Sequence, residues 1–105
     1  MSESVARKPS LSGKQRRYLR GLGNRLRAVV SVGLKGVNES VLRAITQAFD
    51  RADLIKIKLQ EGFAGDRHET AEQLARAAEA EVAQVLGKTI LLYRRHPEKP
   101  KIELP

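Results

Sequence analysis

The sequence predicts an α/β domain: three helices and a mixed four-stranded sheet, in the order α-β-α-β-α-β-β. Three observations carry that prediction. Segments with apolar residues at helical spacing alternate with short β-branched runs, which gives a layered β-α-β-α-β succession. The last two runs are separated by only Gly87 and Lys88, so they form an antiparallel hairpin and make the sheet mixed. Finally, 105 residues leave room for one domain.

Each element has a local justification. Residues 1–10 are polar and read as a disordered basic leader. Ser12 suits the N-cap of a first helix running to about Leu22. On a helical projection Leu11, Gln15, Tyr18, Leu19 and Leu22 gather on one side, and Lys14, Arg16, Arg17 and Arg20 on the other. Tyr18 and Leu22 are expected to make the packing contacts, with Gly21, Gly23 and Asn24 ending the helix. Ala28–Val32 is short, apolar and β-branched, a first strand. Asn38 can cap a second helix to about Phe49, with Val37 stapled on Leu42 and with Val41, Ile45, Ala48 and Phe49 inward.

Leu54–Leu59 is the second strand, with Ile55, Ile57 and Leu59 on one face and Lys56 and Lys58 on the other. A Gly-containing loop, Glu61 to Asp66, leads to a third helix from about Arg67 to Ala80. That helix has Ala71, Leu74, Ala75 and Ala78 inward and a mostly acidic outer face. Val82–Leu86 and Thr89–Arg94 are the remaining strands, and Gly87 suits a type II′ turn between them. The domain is expected to span 11–96. Residues 97–105, punctuated by Pro97 and Pro100, read as a tail in which Lys101 to Leu104 either adds an edge segment or nothing. The first and fourth strands are apolar on both faces, so helices should cover parts of both, the first helix on its own side; the second strand should be half-covered.

Charge is distributed unevenly. The formal net charge is +8, and Met1 to Lys35 holds nine Lys or Arg against one acid, while the remainder balances at eleven of each. The whole excess therefore lies in the first third. A basic surface attracts polyanions through counterion release, whereas charge kept only for solubility is interspersed. Nucleic acid is the expected partner.

Gly33-Leu34-Lys35-Gly36 joins a strand end to a helix start. Two glycines let the backbone turn sharply and approach a ligand. The following helix offers unpaired N–H groups and the positive end of its dipole, and Lys35 adds a mobile charge at the tip. Such a loop grips a sugar-phosphate backbone but reads no bases. The four-residue pattern is also an ordinary βα turn; its position beside the basic first helix, where the charge excess ends, is what marks it. Arg25 and Arg27 fall between helix and strand, and Lys56, Lys58 and Lys88 are possible extensions of the site.

Other chemistries lack their residues. The chain has no cysteine, which removes disulfides, thiolate metal sites and cysteine nucleophiles together. His68 and His96 lack companion ligands, so neither metal nor cofactor is expected. Gly87-Lys88-Thr89 resembles the end of a phosphate-binding P-loop, but position 82 is Val82 and a strand follows. Asp50, Asp53, Asp66 and Glu69 pair with no visible base or nucleophile, and no catalytic residue is assigned. Tyr93 reads as a core residue, and Phe63 as a minor candidate for base stacking. No apolar run approaches the roughly 20 residues needed to cross a bilayer, so a cytoplasmic protein is expected. The high net charge favours a monomer.

Several segments together resemble the CRM domain (chloroplast RNA splicing and ribosome maturation) in its stand-alone bacterial, YhbY-like form. They are Leu11-Ser12-Gly13-Lys14-Gln15-Arg16, Val29 through Val37, Leu54-Ile55-Lys56-Ile57-Lys58, Asp66-Arg67-His68-Glu69-Thr70 and Gly87-Lys88-Thr89-Ile90-Leu91-Leu92-Tyr93-Arg94. The resemblance implies a fold like the C-terminal domain of bacterial translation initiation factor three. It also implies RNA binding through a basic surface that includes Gly33, Leu34, Lys35 and Gly36, and association with precursors of the large ribosomal subunit. Two positions depart from the family pattern: Ala28 stands where proline is frequent, and Leu34 where a polar or basic residue is.

The function expected is non-enzymatic binding of large-subunit (pre-50S) ribosomal RNA as an assembly factor. A generic binder of nucleic-acid duplexes and a module recruiting a ribosomal protein through acidic Glu72, Glu79 and Glu81 are the alternatives.

Overall fold

The computed structural model describes residues 11–105, so the basic leader, with Arg7 and Lys8, lies outside the described residues. Helix α1 (Gly13–Gly23) opens with a reciprocal cap. Ser12 Oγ accepts the Gln15 N–H at 3.1 Å, and the Gln15 side-chain carbonyl accepts the Ser12 N–H at 3.1 Å. Strand β1 (Ala28–Val32) follows, then α2 (Glu39–Phe49), β2 (Leu54–Leu59), α3 (Arg67–Ala78), β3 (Glu81–Leu86) and β4 (Thr89–Tyr93). The Asn38 and Asp66 side chains cap α2 and α3 by accepting N–H groups of the first turn.

The three helices and the mixed four-stranded sheet are those the sequence predicts. Strand order is β1-β2-β4-β3, with β1 and β2 parallel and β4 antiparallel to both its neighbours. Gly87 takes a left-handed φ of 57° at the first turn position of the β3–β4 hairpin. The third helix ends two residues earlier than expected. Glu79 adopts a left-handed conformation, φ 56°, and closes α3, so the chain turns before Ala80.

The sheet carries a core on each face. On one, α2 and α3 bury Val30, Val32, Ile55, Ile57, Ile90 and Leu92 beneath Ile45, Phe49 and Leu74. On the other, a smaller cluster gathers Leu11, Leu19, Leu54, Ala83, Leu91 and Tyr93 under α1. Helix α1 sits so close to the sheet that a Cβ on Gly23 would fall 2.4 Å from Leu91 Cδ1. Gly23 therefore serves close approach rather than termination, and the cap, Asn24, is right-handed. Leu19, not Tyr18, is the anchor: it is fully buried while Tyr18 is 44% exposed. With the buried direction set by Leu19, Gly23 and Gln15, Tyr18 lies on the helix flank.

The tail is neither an edge strand nor loose. Asp53, 1% exposed, accepts the Lys101 N–H (2.8 Å) and the Ile102 N–H (3.1 Å) through Oδ2. Gln15 Nε2 donates to the Pro105 carbonyl at 3.2 Å, and Ile102 and Leu104 pack against the smaller cluster. Burial and the Asp53 charge both raise the Tyr93 pKa, keeping the phenol protonated.

Strand register brings three connections to one end of the sheet. Val32 and Leu59 end β1 and β2 side by side, and β4 begins opposite Lys58. The Gly33–Gly36 loop, the residues after Leu59 and the Gly87–Lys88 turn all leave from that edge. Leu59 N–H donates to the Lys88 carbonyl at 2.7 Å, and Gln60 N–H to the Val32 carbonyl at 2.8 Å.

Candidate nucleic-acid interface

The glycine loop is a hydrogen-bonded turn. Gly36 N–H donates to the Gly33 carbonyl at 2.9 Å, and Gly36 sits at φ 69°, with open space where a Cβ would stand. That backbone conformation is what requires glycine there. Gly33 faces a protein group instead: its missing Cβ would lie 3.1 Å from the Gln60 side-chain oxygen. Leu34 is 82% exposed and leans on Gly62, and Lys35 is exposed beside it. The start of α2 is less open to anions than its dipole suggests. Asn38 Oδ1 already accepts the Val41 N–H at 3.0 Å, and Glu39 places a carboxylate in the first turn.

Lysines on β2 align with α1. Lys56 pairs across from Leu91 and Lys58 from Thr89, so both project on the sheet face that α1 covers. Coverage there is partial: Lys58 and Ser31 are exposed, and Lys56 is half-buried. On α1 itself Lys14, Arg17 and Arg20 are exposed, as are Arg25 and Arg27 in the link to β1. Arg16 is half-buried and donates to the Leu11 carbonyl at 3.0 Å, so it braces the helix start rather than standing free. The first-third cations thus share one side of the sheet with Lys56 and Lys58, and Lys35 stands at the end of that sheet.

Lys88 is engaged. Its ammonium bonds the Glu61 carboxylate, and Arg67 Nη1 donates to the Gly87 carbonyl at 3.3 Å, which pins the hairpin turn. The hydrogen bond from Lys88 and then its charge hold the Glu61 carboxyl below the usual range.

A family model for the CRS1 / YhbY (CRM) domain matches residues 11–94. The chain belongs to this family. It is 35% identical over 95 residues to Bacillus subtilis YqeI, named "Probable RNA-binding protein", covering 90% of this chain and 99% of that one. To a Haemophilus influenzae protein named "RNA-binding protein" it is 37% identical, covering 91% and 96%. The solution structure of Staphylococcus aureus SAV1595, whose description proposes RNA binding, superposes with a TM-score of 0.78 at 37% identity, covering 90% of this chain and 99% of that one.

Within this CRM domain, several site expectations need correction. Phe63 is half-buried against the larger core, and its ring fills the space beside Gly65, so it is less open than its loop position suggested. Glu79 and Glu81 lie outside α3, in its left-handed cap and in β3, which leaves Glu72 alone of that trio on the helix. The supposed acidic face is thereby divided. The sequence reading also missed exposed apolar groups: Tyr18 on α1, Val29 on β1 and Leu86 on β3. Gly23, four residues after Leu19, was the available signal for the orientation of α1. Val29 is exposed because it is the extra residue where the register of edge strand β1 slips between Ala28 and Val30, so it pairs with no residue of β2. Among the described residues no group of three or more His, Asp or Glu could hold a metal ion, and no helix is long and apolar enough to cross a membrane.

Proposed function

We propose that this CRM protein binds structured RNA without catalysis, acting as a cytoplasmic monomer on large-subunit ribosomal RNA in assembling particles. The observation that carries the reading is the placement of Lys14, Arg17, Arg20, Arg25, Arg27, Lys56 and Lys58 on one side of the sheet, ending at the Gly33–Gly36 turn. Relatives named as RNA-binding proteins support the partner class. Phosphate contacts from these cations supply affinity, and RNA shape supplies selectivity.

Lys35→Glu is the clean test. Lys35 is exposed and has no hydrogen bond or ion pair among the described residues, whereas Gly36→Asp would also strain a left-handed backbone. The substitution is expected to weaken binding to a large-subunit RNA fragment about tenfold at unchanged melting temperature. Unchanged affinity removes the loop from the site. Equal affinity for duplex DNA of the same length favours a generic duplex binder. Comigration of the protein with large-subunit precursors on a gradient, lost as salt rises, is the expected cellular counterpart.

A further inference from the structure

At the opposite end of β1 from the glycine turn, the sheet opens into a groove of about 650 Å³. Register creates it. Pairing of β1 with β2 begins at Ala28 and Lys56, so Leu54 and Ile55 run past the end of β1. The last turn of α2 forms the far wall. Leu26, Val29, Ala44, Ala48 and Ala52 supply apolar sides, with the Gln47 amide and the Asp50 carboxylate among them. Arg27, Arg51 and Lys56 complete the lining. Gln47, Arg27, Arg51 and Lys56 have no side-chain hydrogen bond or ion pair among the described residues.

We propose that this groove receives one unpaired nucleotide of the bound RNA, base inward, an assignment that rests on the RNA-binding reading above. Three cations against one acid call for an anionic occupant, and the volume falls within the roughly 300–1,000 Å³ of small-molecule sites. A phosphate does not suit the interior, because the negative end of the α2 dipole and Asp50 both face it. The Asp50 carboxylate, with the Gln47 amide, suits the amino and imino groups of a base edge. The phosphate then lies at the mouth, where Arg27, Arg51 and Lys56 reach it. Arg27 and Lys56 belong to both the basic surface and the groove, so a strand tracking that surface delivers a nucleotide here without leaving it. A base already unpaired is favoured, since a paired one must first be unstacked.

The experiment measures binding of the full chain to two RNA hairpins, identical except for one single-nucleotide bulge. The wild-type chain is expected to bind the bulged hairpin about tenfold more tightly, the scale of one good bidentate contact to a base edge. Gln47→Ala, on the exposed surface of α2, should bring that ratio towards one at unchanged melting temperature. Ala44→Leu, which narrows the groove, should do the same. Lys35→Glu should weaken both hairpins alike and leave the ratio intact. A wild-type ratio of one, or a ratio that survives both groove variants, overturns the groove while leaving RNA binding standing. Failure to bind either hairpin overturns both.

Discussion

Under α2 and α3 the sheet buries Ile57, Ile90 and Leu92 completely, matched by Ile45 and Leu74 from the helices; under α1 the same strands bury Leu54, Leu91 and Tyr93 but leave Ser31 and Lys58 in solvent. Alternate residues of β2 make the contrast. Ile55, Ile57 and Leu59 seal one face, while Lys56 and Lys58 dress the other. One face can stay open because the other supplies most of the apolar burial, at roughly 25 cal/mol per Å² removed from water. The cations collect on the side that stability does not require to be closed, and there a polyanion can lie against helix, strand and loop together.

The sharpest way to break this comparison is to cut one anchor on each face. Leu74→Ala, in the sealed core, should cost about 4 kcal/mol and lower the urea midpoint of the whole domain. Leu19→Ala, under α1, should cost about 3 kcal/mol and act more locally. Hydrogen exchange should then show α1 amides opening well before those of β2 and β4. Amides of α1 that exchange only on global unfolding would make the two faces one cooperative unit.

Asp53→Ala comes next, at about 2 kcal/mol. It removes the buried acceptor of the Lys101 and Ile102 N–H groups and so releases the tail from the smaller cluster. Limited trypsin digestion should cut after Lys101 in the variant before it cuts wild type, the Lys99–Pro100 bond being resistant. Equal rates would mean that Ile102 and Leu104 hold the tail without the carboxylate.

These anchors mark what was legible in the sequence. Ser12 and Asn38 announced their helix starts because a cap is a local, four-residue event, whereas Asp66, which caps α3, was read only as the end of a loop. The period-two pattern of Leu54–Leu59 placed Lys56 and Lys58 on one face for the same reason. Long-range pairing left no such trace. Nothing near Thr89 says that β4 inserts between β2 and β3, yet that insertion sets Lys56 opposite Leu91 under α1. Tyr18 and Leu19 differ by one position on a helix whose burial axis depends on the sheet beneath it. The glycine turn was legible as a loop, but its backing by Gln60 and Gly62 was not. Arg51 was invisible as a site residue because the groove exists only once β2 overruns β1.

The smallest expected effect asks how far the open face extends. Lys88 lies at the same end of the sheet as Lys35 but is held by Glu61. Lys88 depresses the folded pKa of Glu61, so the pair contributes fully above the usual carboxylate value of 4.5 and is lost only as pH falls through the lower folded value. At neutral pH it is closed, and mutation rather than mild acid must open it. Glu61→Gln frees the ammonium and removes a negative charge that also acts on Lys58. RNA affinity should rise about two- to threefold, as expected for one exposed ion pair exchanged for a phosphate contact, and the salt dependence should steepen by about one phosphate. Both changes together place the hairpin turn inside the footprint, so that RNA spans the strand ends from Lys35 to Lys88. Unchanged affinity confines RNA to the α1 side and leaves Glu61 and Lys88 as a clasp on the turn. A fall in affinity would mean that the clasp orders the strand end that RNA reads, and the uncovered half of the sheet would then depend on the turn that bounds it.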